Sequence, residues 1–340
     1  MNHPRCTAVI WHSRRHREIL REHPSVRTLL GSDPTSGLWI VGLVAAQLAL
    51  AALSGRVNAW ILVLLAATAG ATIAHALGVL IHEASHKLIF RDSRMNKAAA
   101  IVANVPLGAP AAIEFRHQHL LHHRYLGETA EPEGRDTQAP TRGEVAFVGR
   151  SRSSSIRKLL SFAFGRFFYE ARSANRAPRD AWLVANVVVC VAADALLVWS
   201  TGLRPLVYLV LSGLFAFGPH VLGARRVAEH LTIRRGQPTN SYYGPLNRIS
   251  FDVGYHVEHH DFPSVPWRRL RQLRSIAAER YAGLARVGSW SRLMASYFRD
   301  ERYDVAKYTG TSDEYLEETA DFWGERRVNS TAVSFTRSIE

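Results

Sequence analysis

The sequence predicts an all-α integral membrane protein with four transmembrane helices arranged in two hairpins. Three observations predict it. There are four long apolar runs with almost no charge, and a basic excess confined to the segments outside their turns. There are also three dense histidine clusters, which this topology brings to one side of the bilayer.

Residues 1–36 are polar and basic without the apolar stretch of a secretion signal, and read as a cytoplasmic N-terminal arm. The apolar runs follow at about 37–53, 57–81, 181–200 and 205–224; the second contains His75 and the third Asp194. About 20 such residues let an α-helix cross the hydrocarbon core. A fifth run, 98–113, is broken by Pro106, Gly108 and Pro110, so it reads as re-entrant or interfacial.

Tight turns at 54–56 and 201–204 close the runs into hairpins. Of 42 Lys and Arg, only Arg56 and Arg204 stand in these turns. The remainder fall on the opposite face, which the positive-inside rule makes cytoplasmic. The expected membrane is a bacterial inner membrane or the endoplasmic reticulum. Topology and anionic headgroups account for the net charge of +13, so no nucleic-acid partner is expected. Cys190 lies in a span and Cys6 in the arm, so no disulfide is expected. The loop 127–144 and residues 151–155 read as exposed connections, and 301–340 as a C-terminal tail.

The chain has 16 histidines, and half of them sit in HEASH (82–86), HLLHH (119–123) and HVEHH (256–260). The spacings i, i+3 and i+4 share a helix face, so each cluster can present its rings to one point. Neutral imidazole is a common ligand for iron, zinc and copper. Eight of them (His82, His86, His119, His122, His123, His256, His259, His260) overfill one zinc and suit two metal ions. An all-nitrogen two-metal site beside a membrane points to paired iron that activates O2 against a lipid C–H bond. A zinc hydrolase, sensor or transporter would instead place its ligands within the spans.

The order HxxxH, HxxHH, HxxHH resembles the membrane fatty acyl and sphingolipid desaturase superfamily. The stretches WHSRRHREIL (11–20), ANVPLGAP (103–110), HHRYLG (122–127), SYYGPLN (241–247) and VGYHVEHHDFPSVP (253–266) are similar to sphingolipid Δ4-desaturases. The resemblance implies a membrane desaturase domain over 37–300, with a cytoplasmic helical cap holding a di-iron site. It makes the eight box histidines catalytic metal ligands and adds His230 of VAEH (227–230) as a ninth. This chain departs from the family at Arg225, where the family has histidine, at Leu121, where it has an acid, and at Asp252, where it has Asn.

By the resemblance, the substrate is a dihydroceramide, converted to ceramide with O2 as co-substrate. The alternatives are C4 hydroxylation of the same lipid, or desaturation or hydroxylation of another lipid such as a fatty acyl chain. No haem-binding HPGG motif, iron–sulfur cysteine pattern or GxGxxG fingerprint occurs, so both electrons come from a separate cytochrome b5 or ferredoxin-type donor.

Overall fold

The computed structural model describes residues 7–128, 136–139, 155–160, 162, 180–231, 233–234 and 236–300. Cys6, most of the loop 127–144, residues 151–154 and the tail 301–340 lie outside the described residues.

An amphipathic helix, α1 (Thr7–Glu22), precedes the first apolar helix, α2 (Thr35–Ser54). The second, α3 (Ala59–Ser85), contains a π-helical turn at Ala66–Gly70. Two shorter helices, α4 (Ser93–Asn104) and α5 (Ala112–Tyr125), meet at a 117° bend. Then come α6 (Ala181–Thr201) and α7 (Leu203–Phe217), followed by the short α8 (Arg225–Ala228). The C-terminal part holds α9 (His256–Asp261), α10 (Trp267–Ile276), α11 (Ala278–Ala282) and α12 (Trp290–Arg299). Among the described residues one parallel pair of two-residue strands, Ser241–Tyr242 with Arg286–Val287, accompanies the helices.

Among the described residues four helices are long and apolar enough to cross a membrane: Thr35–Ser54, Ala59–Ser85, Ala181–Thr201 and Leu203–Ala228. Large apolar side chains on them face outward, including Leu38, Leu64, Val184 and Leu196. In water such a surface would be costly; in lipid it is matched. Trp60 and Trp199 are each 84% exposed near the short connections, as aromatic side chains at a membrane interface are. The second helix runs past the expected Ile81 to Ser85, so HEASH forms the last turn of an apolar helix.

The helix α7 packs against α2, α3 and α6. Gly70 makes its crossing with α3 close: a Cβ there would run into Ser212 Oγ and the Tyr208 hydroxyl. The Gln47 amide meets the Gly70 carbonyl and the Tyr208 hydroxyl at 3.4 Å each, which ties three helices together in apolar surroundings. Gly70→Ala is expected to cost about 1–3 kcal/mol by overpacking, read as a lower Tm in detergent.

The 98–113 run becomes the end of α4, a turn and the start of α5. Asn104 holds that turn. Its amide donates to the Ala109 carbonyl (2.7 Å), and its oxygen accepts from the amides of Ala111 (2.8 Å) and Ala112 (2.9 Å). Gly108 has φ +68 and lies against Val210, a position only glycine fits without strain. Helix α5 has no side-chain cap of its own, so Asn104 satisfies its first donors and fixes where the second histidine cluster starts.

A second core joins α1, residues 24–29 and α9 to α11 through Ile19, Leu29, Val257, Phe262, Leu273 and Tyr281. It buries α9 through Val257.

Candidate metal centre

Three segments far apart in sequence deliver the histidines. His82 is in the last turn of α3 and His86 is its C-cap; His119, His122 and His123 ride on α5, and His256, His259 and His260 on α9. His230 follows α8, where Asn240 donates to the carbonyls of Ala228 and Leu231 and so pins the chain on either side of it.

The structure gathers all nine into two adjoining groups. In the first, His82, His86, His119, His123 and His259 each offer a nitrogen within 4.8 Å of the others. Their Nε2 atoms form a continuous series: His82–His259 3.0 Å, His259–His123 3.1 Å, His123–His119 3.0 Å and His119–His86 2.8 Å. The second contains His122, His230 and His260, with His256 Nε2 3.0 Å from His230 Nε2. The rings of His123 and His260 stack at 4.2 Å where the groups touch.

The expectation that each cluster aims all its rings at one point is corrected here. The i, i+4 pairs stay together, His119 with His123 and His256 with His260, while His122 and His259 go to the opposite group. Positions i+3 and i+4 differ by about 100° around a helix. Two metal groups on either side of that difference use it.

The donors suit metal ions. An imidazole nitrogen has one in-plane lone pair or one hydrogen, yet Nε2 of His119 and of His259 each meets two other nitrogens. Metal–nitrogen bonds of about 2.1 Å at right angles set neighbouring nitrogens about 3.0 Å apart, which matches the observed spacing. In the second group Nε2 of His122 and of His260 is buried with no hydrogen-bond partner among the described residues. Burial, helped by neighbouring imidazoles, holds His230, His256, His259 and His260 well below the ordinary histidine value, so they stay neutral, the form that ligates a metal.

Residues around the ligand groups set their orientation. Asp136 Oδ1 lies 2.8 Å from His122 Nδ1, both fully buried, and Asp136 also accepts from the amides of Gly127 and Gln138. The Gln138 amide lies 3.2 Å from His119 Nδ1. Thus residues 136–139 of the loop expected to be exposed are largely buried against the site. Behind α9, Asp261 pairs with His12 Nδ1 (2.7 Å) and Arg15 Nε (2.9 Å) from α1. Glu258 accepts from Ser241 (2.7 Å) and Tyr243 (2.8 Å); burial pushes its carboxyl up to about 7 even against these two bonds, which favour the charged form. Ser241 also accepts from the Val257 amide, while Asn247 donates to the Tyr242 carbonyl and accepts from the Gly254 amide. The SYYGPLN stretch is therefore the cradle of the third cluster.

His75 is buried on α3 but belongs to neither group, and His117 on α5 is likewise outside them. Asp136, Asp261 and His12 had no assigned role in the sequence. Asp136 and Asp261 follow no periodic pattern, and His12 pairs with His16 at i, i+4 in the arm, far in sequence from the boxes; only the partner each meets gives it meaning.

A family model for fatty acid desaturases matches residues 58–290. The chain is 38% identical over 293 residues to the "Sphingolipid delta(4)-desaturase DES1-like" protein of Oryza sativa subsp. japonica, covering 85% of this chain and 87% of that protein. It is 39% identical over 288 residues to the human "Sphingolipid delta(4)-desaturase/C4-monooxygenase DES2", covering 83% and 86%. The Drosophila melanogaster "Sphingolipid delta(4)-desaturase DES1" is 36% identical over 294 residues, covering 85% and 89%. With its apolar helices and buried imidazole groups, this chain belongs to the fatty acid desaturase family and is an integral membrane oxidoreductase.

Proposed function

We propose that this chain is a di-iron sphingolipid Δ4-desaturase that converts dihydroceramide to ceramide. The observation that carries the metal chemistry is the pair of buried imidazole groups at the end of an apolar helix. The substrate follows from similarity, over most of the chain, to relatives named for that lipid.

His82, His86, His119, His123 and His259 would hold one iron, and His122, His230, His256 and His260 the other. Bound iron supplies the oxidising power: with O2, two electrons and two protons, one hydrogen leaves each of C4 and C5 and two waters form. The chain's own residues prepare that step. Asp136 faces His122 Nδ1, keeps the hydrogen there and leaves Nε2 for the ion. Val79, Phe251, Val253, Trp267 and Leu270 line the pocket beside the groups with apolar surface and limit water. Asp136→Asn is expected to weaken iron binding about 10–100-fold, checked by iron titration against a chelator.

The topology is two hairpins with the histidines on the cytoplasmic side. The connections at 55–58 and 202 lie together, since Arg204 donates to the Val57 carbonyl, and the histidine groups form at the far ends of the helices. Both electrons come from an external cytochrome b5 or ferredoxin-type protein, which the basic cytoplasmic surface would favour if acidic.

A second reading, C4 hydroxylation, is carried by the human and bovine relatives, whose names include C4-monooxygenase. The test is expression in a host that makes dihydrosphingolipids, with mass spectrometry of the sphingoid bases. Loss of two hydrogens is expected. Gain of one oxygen favours the second reading, and unchanged bases with iron loaded and donor present overturn both.

A further inference from the structure

The pocket beside the histidine groups touches both of them, through His82, His119 and His259 on one side and His256 on the other. A carbon–carbon bond presented to both ions would lie along this pocket. In a sphinganine base the C3 hydroxyl is only two bonds from the reacting C4. The side chain that recognises it must therefore come from the pocket wall itself, not from a distant headgroup site.

Among the residues lining the pocket, Arg225 carries the one fixed positive charge. It stands at the start of α8, where the chain leaves the fourth apolar helix. Its Nε forms an ion pair with Glu229 Oε1 at 2.9 Å, and its side chain is 19% exposed. No other side-chain hydrogen bond or ion pair of Arg225 occurs among the described residues, which leaves Nη1 and Nη2 with donor capacity for a molecule in the pocket that this side chain lines. Glu229 balances the charge, and Glu83 adds a second carboxyl to the wall. A wall with one guanidinium and two carboxyl groups suits a neutral oxygen better than a phosphate.

We infer that Arg225 donates a hydrogen bond to the C3 hydroxyl oxygen of the lipid and so sets the substrate class as 3-hydroxylated sphingoid lipids. The inference rests on the sphingolipid reading above. Glu229 acts as a positioning residue that holds the guanidinium toward the pocket.

The test compares kcat/KM for dihydroceramide and for its 3-deoxy analogue, using full-length chain with iron and a donor. The wild type is expected to prefer dihydroceramide by about ten- to a hundredfold, the usual range for a hydrogen bond to a charged group. In Arg225→Gln the preference should collapse toward unity, with the loss carried mainly by KM. Arg225→His is read where Arg225→Gln does not hold its iron. Equal wild-type rates on the two lipids overturn the inference, as does an equal fall on both lipids in the variants. Iron loss in both variants assigns Arg225 to holding the site and also overturns it. A wild type inactive on dihydroceramide while loaded with iron sinks the sphingolipid reading instead.

Discussion

His259→Ala purified in detergent is expected to hold about one iron where the wild type holds two, and to lose activity by at least about a hundredfold. The reason is its position: His259 Nε2 meets both His82 Nε2 (3.0 Å) and His123 Nε2 (3.1 Å), so it joins ligands from α3 and α5. Loss of an outer-shell partner alone typically costs 10–100-fold, and a directly bound imidazole should exceed that. Elemental analysis and sphingoid-base mass spectrometry on the same preparation check it. Full iron content in the variant would remove His259 from the ligand set.

Asp261→Ala is expected to destabilise the folded chain by about 3–5 kcal/mol. The carboxylate is fully buried and serves both His12 and Arg15, so its removal leaves a guanidinium that is only 10% exposed without a carboxylate, its Nη2 still on the Arg280 carbonyl (3.0 Å). The paired replacement Arg15→Met with Asp261→Leu should cost much less, because neither charge is then left alone. Thermal melts in detergent, with protease cleavage within α1 as the local readout, separate the two cases. A single variant that melts with the wild type would show that α1 does not depend on this contact.

The four apolar runs and the histidine spacings were legible because each repeats a physical period: about 20 apolar residues for a span, and i, i+4 for a helix face. What the sequence left hidden depends on one-off contacts. Asp136 is one of five acids in the polar loop 127–144, and only its 2.8 Å approach to His122 singles it out. His12 and Asp261 stand 249 positions apart. Asn104 looks like one polar residue in a broken apolar stretch, yet it builds the turn before α5. The division of rings between two groups was hidden for another reason. The i, i+3, i+4 pattern is compatible with one target or two, and only the packing of α5 against α9 decides.

That division has a consequence for assembly. Because α5 and α9 each supply nitrogens to both groups, neither cage can be completed while the other lacks a wall. Displacing either helix opens both together, so ion capture should be all-or-none with respect to docking of these segments. A singly loaded population should then arise only from damage to an individual imidazole.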